Sequence, residues 1–452
     1  MIAVAAIVGR ANVGKSTLFN RLLGRRRAIV HDRPGVTRDR VMALATLGER
    51  QFWLIDTGGL GARSDEFLGR EIGGQARRAM EEASIVLFVV DAREGLTASD
   101  EEITRDIRRL GKPVIFVANK VDPGSRSNAL TELYRAGLGQ PLQVSAEHSI
   151  GIEELRQKIL AAVPPDTSEE VGGASGIRVA FLGRPNVGKS SLINRILNEP
   201  RMIVSEMPGT TRDVVDVPVT LGDSDFVLLD TAGLRRRGKV DDRVEYFSAV
   251  QTLKAIDRAD VVVLVLDAEE GLTTQDERIG SAAVERGTGL ILAANKWDLC
   301  SDREEDRHQF REEAYATAPF LEFSPIRFVS ALTGKGVEGL LLECRRIFKN
   351  RTKRFAEAEL SKAFTETAAS APSVDRLRLS HLSQAMESHP TFFLWCSDPR
   401  RVRAHFERYW VRALGPRLRL EGVPIRVVFR RLRVSSKKAQ GRRRATSRRA
   451  RS

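Results

Sequence analysis

The sequence predicts an α/β protein built in duplicate. Two tandem domains, each a mostly parallel sheet with helices on both faces, precede a small α+β domain and a basic C-terminal tail. Three observations carry this. The segment Gly9-Arg10-Ala11-Asn12-Val13-Gly14-Lys15-Ser16-Thr17 returns 174 residues later as Gly183-Arg184-Pro185-Asn186-Val187-Gly188-Lys189-Ser190-Ser191. Around each copy, short apolar β-branched runs alternate with helical stretches. From about Lys353 that alternation gives way to a different pattern.

Taken in order, Ile2–Val8 reads as a strand, Ser16–Leu23 as a helix, and Val41–Asp56 as a hairpin turning at Gly48-Glu49. Ile85–Val90, Val114–Ala118 and Leu142–Val144 follow as strands, separated by helical stretches such as Ser99–Leu110 and Ile152–Ala162. Apolar runs bounded by such helices indicate parallel strands covered on both faces. The second half repeats this with Val179–Leu182, Val227–Asp230, Val261–Asp267, Leu290–Ala294 and Ile326–Ser330. The third domain reads as a helix (Phe355–Ser370), two strands (Arg376–Ser383, Thr391–Trp395), a helix (Arg401–Ala413) and a last strand (Pro424–Arg430). The expected boundaries are 1–163 and 177–349 for the repeated domains, 164–176 for a Pro/Gly/Ser-rich linker, and 350–434 for the third domain. A disordered tail follows over 435–452.

At 452 residues the chain can bury about three cores. The net charge of +14 is mostly local: residues 430–452 hold eleven Lys or Arg and no acid, which leaves about +3 for the rest. Three scattered cysteines, Cys300, Cys344 and Cys396, form neither a disulfide framework nor a zinc site and fit a reducing cytoplasm. No apolar run approaches the roughly 20 residues that span a bilayer, and Ile2–Val8 reads as a core strand, not a signal peptide.

The repeated segments match G-x-x-x-x-G-K-[ST], in which glycines let backbone N–H groups turn around phosphate oxygens at a helix N-terminus. Lys15 and Lys189 are placed to reach the β- and γ-phosphates, and Ser16 and Ser190 to ligate Mg2+. Asp56 and Asp230, at strand ends, hold the metal from its other side. Thr37 and Thr211 are switch candidates that complete the metal set and sense the γ-phosphate. Asp56-Thr57-Gly58-Gly59-Leu60 and Asp230-Thr231-Ala232-Gly233-Leu234 form the turns after those strands. In Asn119-Lys120-Val121-Asp122 and Asn295-Lys296-Trp297-Asp298, a carboxylate can accept two hydrogen bonds from the guanine edge, a pairing adenine does not offer. Ser145-Ala146 and Ser330-Ala331 complete the base pockets. All parts occur twice in one order, which reads as two GTP/GDP sites. Leu60 and Leu234 stand where many such enzymes place a water-orienting glutamine. Either the domains bind without hydrolysing, or another group supplies the charge. Asn12 and Asn186 are candidates for holding K+ there, although Asn in a tight loop is often only a turn former.

The paired G-R-x-N-V-G-K-S loops, P-G-x-T-R-D, D-T-G-G-L then D-T-A-G-L, and N-K-V-D then N-K-W-D-L resemble the bacterial Der (EngA) family of GTPases. So do Arg236-Arg237-Gly238-Lys239-Val240, Lys254-Ala255-Ile256-Asp257-Arg258-Ala259-Asp260 and Glu421-Gly422-Val423-Pro424-Ile425-Arg426. The resemblance covers about residues 1–434. It implies two P-loop G domains plus a KH-like third domain, GTP hydrolysis, and maturation of the large ribosomal subunit through ribosomal RNA. It also implies that a hydrophobic residue replaces the glutamine, with K+ stimulation, which makes Lys15, Thr37, Asn12, Lys189, Thr211 and Asn186 the catalytic candidates. Ala11 departs from the family's usual proline, residues 360–384 are shorter, and no G-x-x-G loop is present. Ordinary KH clamping of an RNA backbone therefore does not follow.

The tail, with Lys437-Lys438, Arg442-Arg443-Arg444 and Arg448-Arg449, would add RNA affinity by counterion release without sequence preference, or else serve only to solubilise. Arg400, Arg401 and Arg403 read as an ordinary solvated face. The expected protein is a cytoplasmic monomer that binds the large subunit and its RNA, with neither DNA nor membrane as partner. The competing reading is a nucleotide-controlled switch that recruits a protein, with RNA incidental.

Overall fold

The computed structural model describes residues 2–23, 42–48, 50–59, 77, 79–121, 132–163, 176–198, 202–204, 216–229, 249–301, 303–387 and 389–432. Thr37, Leu60, Asp122, Thr211, Asp230, Thr231, Ala232, Gly233, Leu234, linker positions 164–175 and the tail lie outside the described residues.

The first sheet comprises β1 (Ala3–Val8), β2 (Met42–Leu47), β3 (Arg50–Asp56), β4 (Ile85–Asp91), β5 (Val114–Asn119) and β6 (Leu142–Gln143), in the order β2-β3-β1-β4-β5-β6. All pairings are parallel except the β2–β3 hairpin. Every residue of β1 and β4 is buried. Their unbroken apolar sequences are what a strand needs when both its faces are covered. The helices are α1 (Lys15–Leu23), α2 (Ala98–Leu110) and α3 (Ile152–Ala162). A capping box starts α2: the Thr97 N–H donates to the Asp100 carboxylate at 3.1 Å, and the Asp100 N–H returns to the Thr97 hydroxyl.

The second sheet repeats the plan. Its strands are β7 (Ile177–Leu182), β8 (Met202–Val204), β9 (Val217–Leu221), β10 (Ser224–Leu229), β11 (Val261–Asp267), β12 (Gly289–Asn295) and β13 (Ile326–Phe328), in the order β13-β12-β11-β7-β10-β9-β8. The helices are α4 (Lys189–Leu197), α5 (Ala249–Arg258), α6 (Thr274–Arg286), α7 (Glu304–Thr317) and α8 (Val337–Thr352). Sequence periodicity missed β8 and β9. Pro218 interrupts the second, yet Val217, Val219 and Leu221 are buried in alternation there, and position 218 needs no interior amide near the sheet edge.

These two halves share one buried cluster, in which Ile2, Leu44 and Trp53 of the first meet Ile256, Ala282 and Ala283 of the second. The Leu44 N–H donates to the Glu285 carboxylate at 3.0 Å, and the Lys254 ammonium to the Glu82 carbonyl at 3.2 Å. Asp257 on α5 is buried against Trp53 and the Ile2 N–H, and forms an ion pair with Arg286 at 2.9 Å. Neither of its oxygens nor Trp53 Nε1 reaches hydrogen-bond geometry. Residues 421–424 pack in the same unit. The Gly422 N–H donates to Phe323 O at 2.7 Å, and the Leu290 N–H to Gly422 O at 2.8 Å. With φ of 77° and Ile347 Cδ1 only 2.3 Å from where a Cβ would stand, only glycine fits at 422.

The second compact unit is α9 (Glu357–Ala369), β14 (Leu379–Gln384), β15 (Thr391–Cys396), α10 (Ala404–Arg417) and β16 (Arg426–Arg431). Its sheet runs β14-β15-β16, antiparallel then parallel. Leu360, Phe392, Leu394, Phe406, Trp410 and Leu414 form its core. The expected start of the second helix at Arg401 is instead a short 3-10 turn, Pro399–Arg401, capped by Asp398, and the helix proper begins at Ala404. Among the described residues no helix is long and apolar enough to cross a membrane, and Cys300, Cys344 and Cys396 are unpaired.

Burial raises the Asp257 pKa to about 6, with Arg286 and Trp53 opposing it only in part. A group whose folded pKa exceeds its unfolded value makes its most favourable contribution below the unfolded pKa, and this is lost as pH rises through the folded one. Asp257→Asn should therefore stabilise the protein by on the order of 2–3 kcal/mol above pH 6, with the gain shrinking towards pH 4. Thermal melts of both proteins across that range check it; a difference independent of pH would refute it.

Candidate functional site

The motif-bearing loops leave the carboxyl ends of β1, β3, β5 and β6, so parallel pairing delivers them to one edge of the sheet, where open α/β sheets bind ligands. The same edge of the second sheet receives the loops after β7, β12 and β13.

In the first phosphate loop the Lys15 ammonium donates to Gly9 O at 2.8 Å and to Arg10 O at 2.6 Å. In the second, Lys189 does the same to Gly183 O at 3.1 Å and Arg184 O at 2.5 Å. Each lysine thus spans the concavity of its own loop, and burial, more than any neighbouring charge, lowers the pKa of Lys15. The Ser16 hydroxyl donates to the Asp56 carboxylate at 2.6 Å. Two hard oxygen donors meeting at the helix start fit Mg2+, which prefers such ligands. Asp56 also accepts from the Gly58 N–H at 3.0 Å, and the Thr57 hydroxyl donates to Ile7 O at 2.8 Å, fixing the turn against β1.

Asn12 and Asn186 adopt φ of 65° and 63°. Among residues with a side chain, Asn tolerates this left-handed conformation best. The backbone alone therefore accounts for an asparagine at both positions, whatever the side chain holds. Val13 and Val187 are buried beneath the loops, while Ala11 is exposed.

The asparagines of N-K-x-D do structural work that sequence reading did not assign. The Asn119 amide donates to Val13 O at 2.8 Å, while its carbonyl accepts from the Ala146 N–H at 3.0 Å. Asn295 ties Val187 O and the Ala331 N–H at 2.8 Å and 3.0 Å. One buried carboxamide thus joins the phosphate loop to the base loop in each domain. Gly14 must lack a side chain for this: a Cβ there would stand 2.3 Å from Asn119 Nδ2, and Gly188 meets Asn295 identically. Lys120 pairs with Asp91 at 2.8 Å, and Lys296 with Asp267 at 2.6 Å. Burial alone would raise both aspartates, but the lysines and neighbouring N–H groups hold them below the ordinary carboxylate range. Ser145 and Ser330 are buried and accept from the His148 and Thr333 N–H groups at 3.4 Å and 3.1 Å. Trp297 packs on Phe310 and Phe328, leaving Asp298 exposed at the pocket rim.

Further residues recur at the repeat spacing. The Arg21 guanidinium donates to Ala146 O at 2.7 Å, and Arg195 to Ala331 O at 3.0 Å. Arg10 reaches Glu94 and the fully buried Asp100, the latter at 3.4 Å; Arg184 reaches Glu270 and Asp276 at 2.5 Å and 3.1 Å. Burial raises the Asp276 pKa against the pull of Thr273 and Arg184. The signal was present as D-A-x-E-G-L-T at 91–97 and again at 267–273, but a structural repeat carries no chemical label.

The chain is similar to known proteins over most of its length. The family model described as 50S ribosome-binding GTPase matches residues 4–120 and 178–296. The KH-domain-like model of the EngA bacterial GTPase C-terminus matches 354–430. The GTPase Der of Moorella thermoacetica is 41% identical over 432 residues, covering 95% of this chain and 98% of that protein. The GTPase Der of Syntrophotalea carbinolica is 43% identical over 433 residues, covering 95% and 99%. Among solved structures, the G domain of the T. maritima FeoB iron transporter aligns with a TM-score of 0.25 at 26% identity, covering 38% of this chain and 97% of that one.

Replacing Asn295 by Ala leaves a carbonyl and an N–H unpaired between two loops. It should weaken nucleotide binding at the second site by about tenfold or more, since two lost hydrogen bonds cost ~2 kcal/mol, with the first site unaffected. Titration with a fluorescent GDP analogue reads this; undiminished affinity at the second site would contradict the bridging role.

Proposed function

The chain belongs to the Der family of GTPases, and from this premise we propose that it is a ribosome-assembly factor with two working GTP sites, acting in the cytoplasm as a monomer. It would dock on ribosomal RNA of the large subunit according to the nucleotides it holds. The observation that carries this is the duplicated loop architecture: each half places a lysine and a bridging asparagine in the same way around its own phosphate loop. The 50S ribosome-binding description of the matching family model and the eleven basic residues over 430–452 support the ribosomal partner.

In this reading Lys15 and Lys189 release their loop carbonyls to meet the β- and γ-phosphates. Ser16, Thr37 and Asp56, with Ser190, Thr211 and Asp230, hold Mg2+, which when bound neutralises the phosphate charge. Asp122 and Asp298 accept from guanine. Asn12 and Asn186 hold K+, which would place positive charge where other GTPases bring an arginine.

Cosedimentation with ribosomal particles, with GDP or with a non-hydrolysable GTP analogue, tests the function. Binding to the large subunit should depend on the nucleotide; retention of a protein partner with no ribosomal association would favour a recruiting switch instead.

Turnover should fall when sodium replaces potassium. Because φ at position 12 is positive, Asn12→Gly removes the amide without strain and should lower first-site turnover severalfold in potassium. Equal rates in the two salts, or an unimpaired glycine variant, would leave Asn12 a turn former.

A further inference from the structure

The sheet of the C-terminal domain has two unlike faces. Leu382, Phe392, Leu394 and Val427 point to the core under α9 and α10. By register, the opposite face is built from the rows His381–Trp395–Arg430, Ser383–Phe393–Val428 and Thr391–Arg426. Phe393 and Trp395 stand outside the domain's buried cluster. They are half-buried, while His381, Arg426 and Arg430 are exposed. The His381 ring lies nearly parallel to that of Trp395, with centroids 5.7 Å apart and 12° between planes. Trp395 Nε1 donates to the Ser383 hydroxyl at 3.0 Å, which fixes the indole. The Arg430 guanidinium lies 3.5 Å from the centre of the Phe393 ring. None of the eight residues in these rows is acidic, and the nearby Glu387 accepts from the Thr391 hydroxyl at 2.7 Å.

We infer that this face binds single-stranded RNA, with a base stacked on Trp395 and phosphates met by Arg426 and Arg430. A flat aromatic ring already held in place offers stacking to any base, and guanidinium groups on the same face match the backbone charge. A purely apolar partner would leave these arginines unpaired. The chain leaves β16 at Arg431 and continues into a segment with eight Lys or Arg beyond Val434 and no aromatic residue. That segment can supply charge but not base contacts; the sheet face supplies what it lacks. The inference rests on the ribosomal RNA reading above and locates its contact.

Trp395 also reports on the test. Trp53 and Trp410 are fully buried and Trp297 is 5% exposed, so only Trp395 can be quenched by a stacking base. In the full-length protein, an adenylate decamer should quench tryptophan fluorescence and inorganic polyphosphate should not. Trp395→Ala should weaken binding of the labelled decamer by about tenfold or more without changing the salt slope. Trp395→Phe, which keeps a ring and guards against misfolding, should retain most of the affinity. Truncation after Val434 should flatten the slope of log K against log salt by roughly 3, if about half its eight charges meet phosphates, and leave the quenching intact. Quenching by polyphosphate as strong as by RNA, or a well-folded Trp395→Ala protein that binds as tightly as its parent, would overturn the inference. Ribosomal cosedimentation surviving in Trp395→Ala would then show that the RNA contact lies elsewhere, whereas its absence in the parent protein would remove the underlying function itself.

Discussion

Everything at the two candidate sites depends on the burial of β1 and β4, and of their counterparts β7 and β11. Strands covered on both faces cannot leave backbone amides unpaired, so they must lie in register within a parallel ladder. Parallel strands then send their following loops to one edge. In the first half the Gly9–Ser16 loop, the turn after Asp56 and the loops after Asn119 and Gln143, scattered over more than a hundred residues of sequence, become neighbours for this reason.

Neighbourhood is not yet a site, because loops on a sheet edge are free to splay. Here Asn119 and Asn295 convert proximity into fixed geometry, each using both ends of one carboxamide on two different loops. Gly14 and Gly188 leave room for that amide, and Arg21 and Arg195 hold the far side of the base loop. Arg10 and Arg184 anchor the phosphate loops outward to the buried caps Asp100 and Asp276. This is preorganisation: donors are placed before the ligand arrives, so binding need not order them. That both halves use the same set indicates that the arrangement, not a single contact, is what the fold preserves.

The C-terminal domain works differently. Its core resembles any small α+β unit, but its outer sheet face spends Phe393 and Trp395 where packing does not need them. In the inference drawn above, this face and the polycationic segment that follows it in sequence would divide recognition into an uncharged, base-directed part and a charged, sequence-blind part.

The sequence by itself determined the duplication and the fold class, and it pointed to Lys15, Ser16 and Asp56 with their second-half counterparts as the residues that would carry the chemistry. These depend on local spacing and on apolar runs, which are written along the chain. The hairpin at Gly48 and the helix at Ile152–Ala162 were legible for the same reason. Tertiary structure alone decided what crosses between loops. The bridge that Asn119 makes from Val13 to Ala146, and the burial of Asp257 beside Trp53, leave no mark in the local sequence. Strand β9 was hidden by Pro218, whose tolerance depends on its place near a sheet edge. Pairings between residues far apart in sequence leave no period to detect; only the folded chain, by deciding which groups lose water together, assigns their partners.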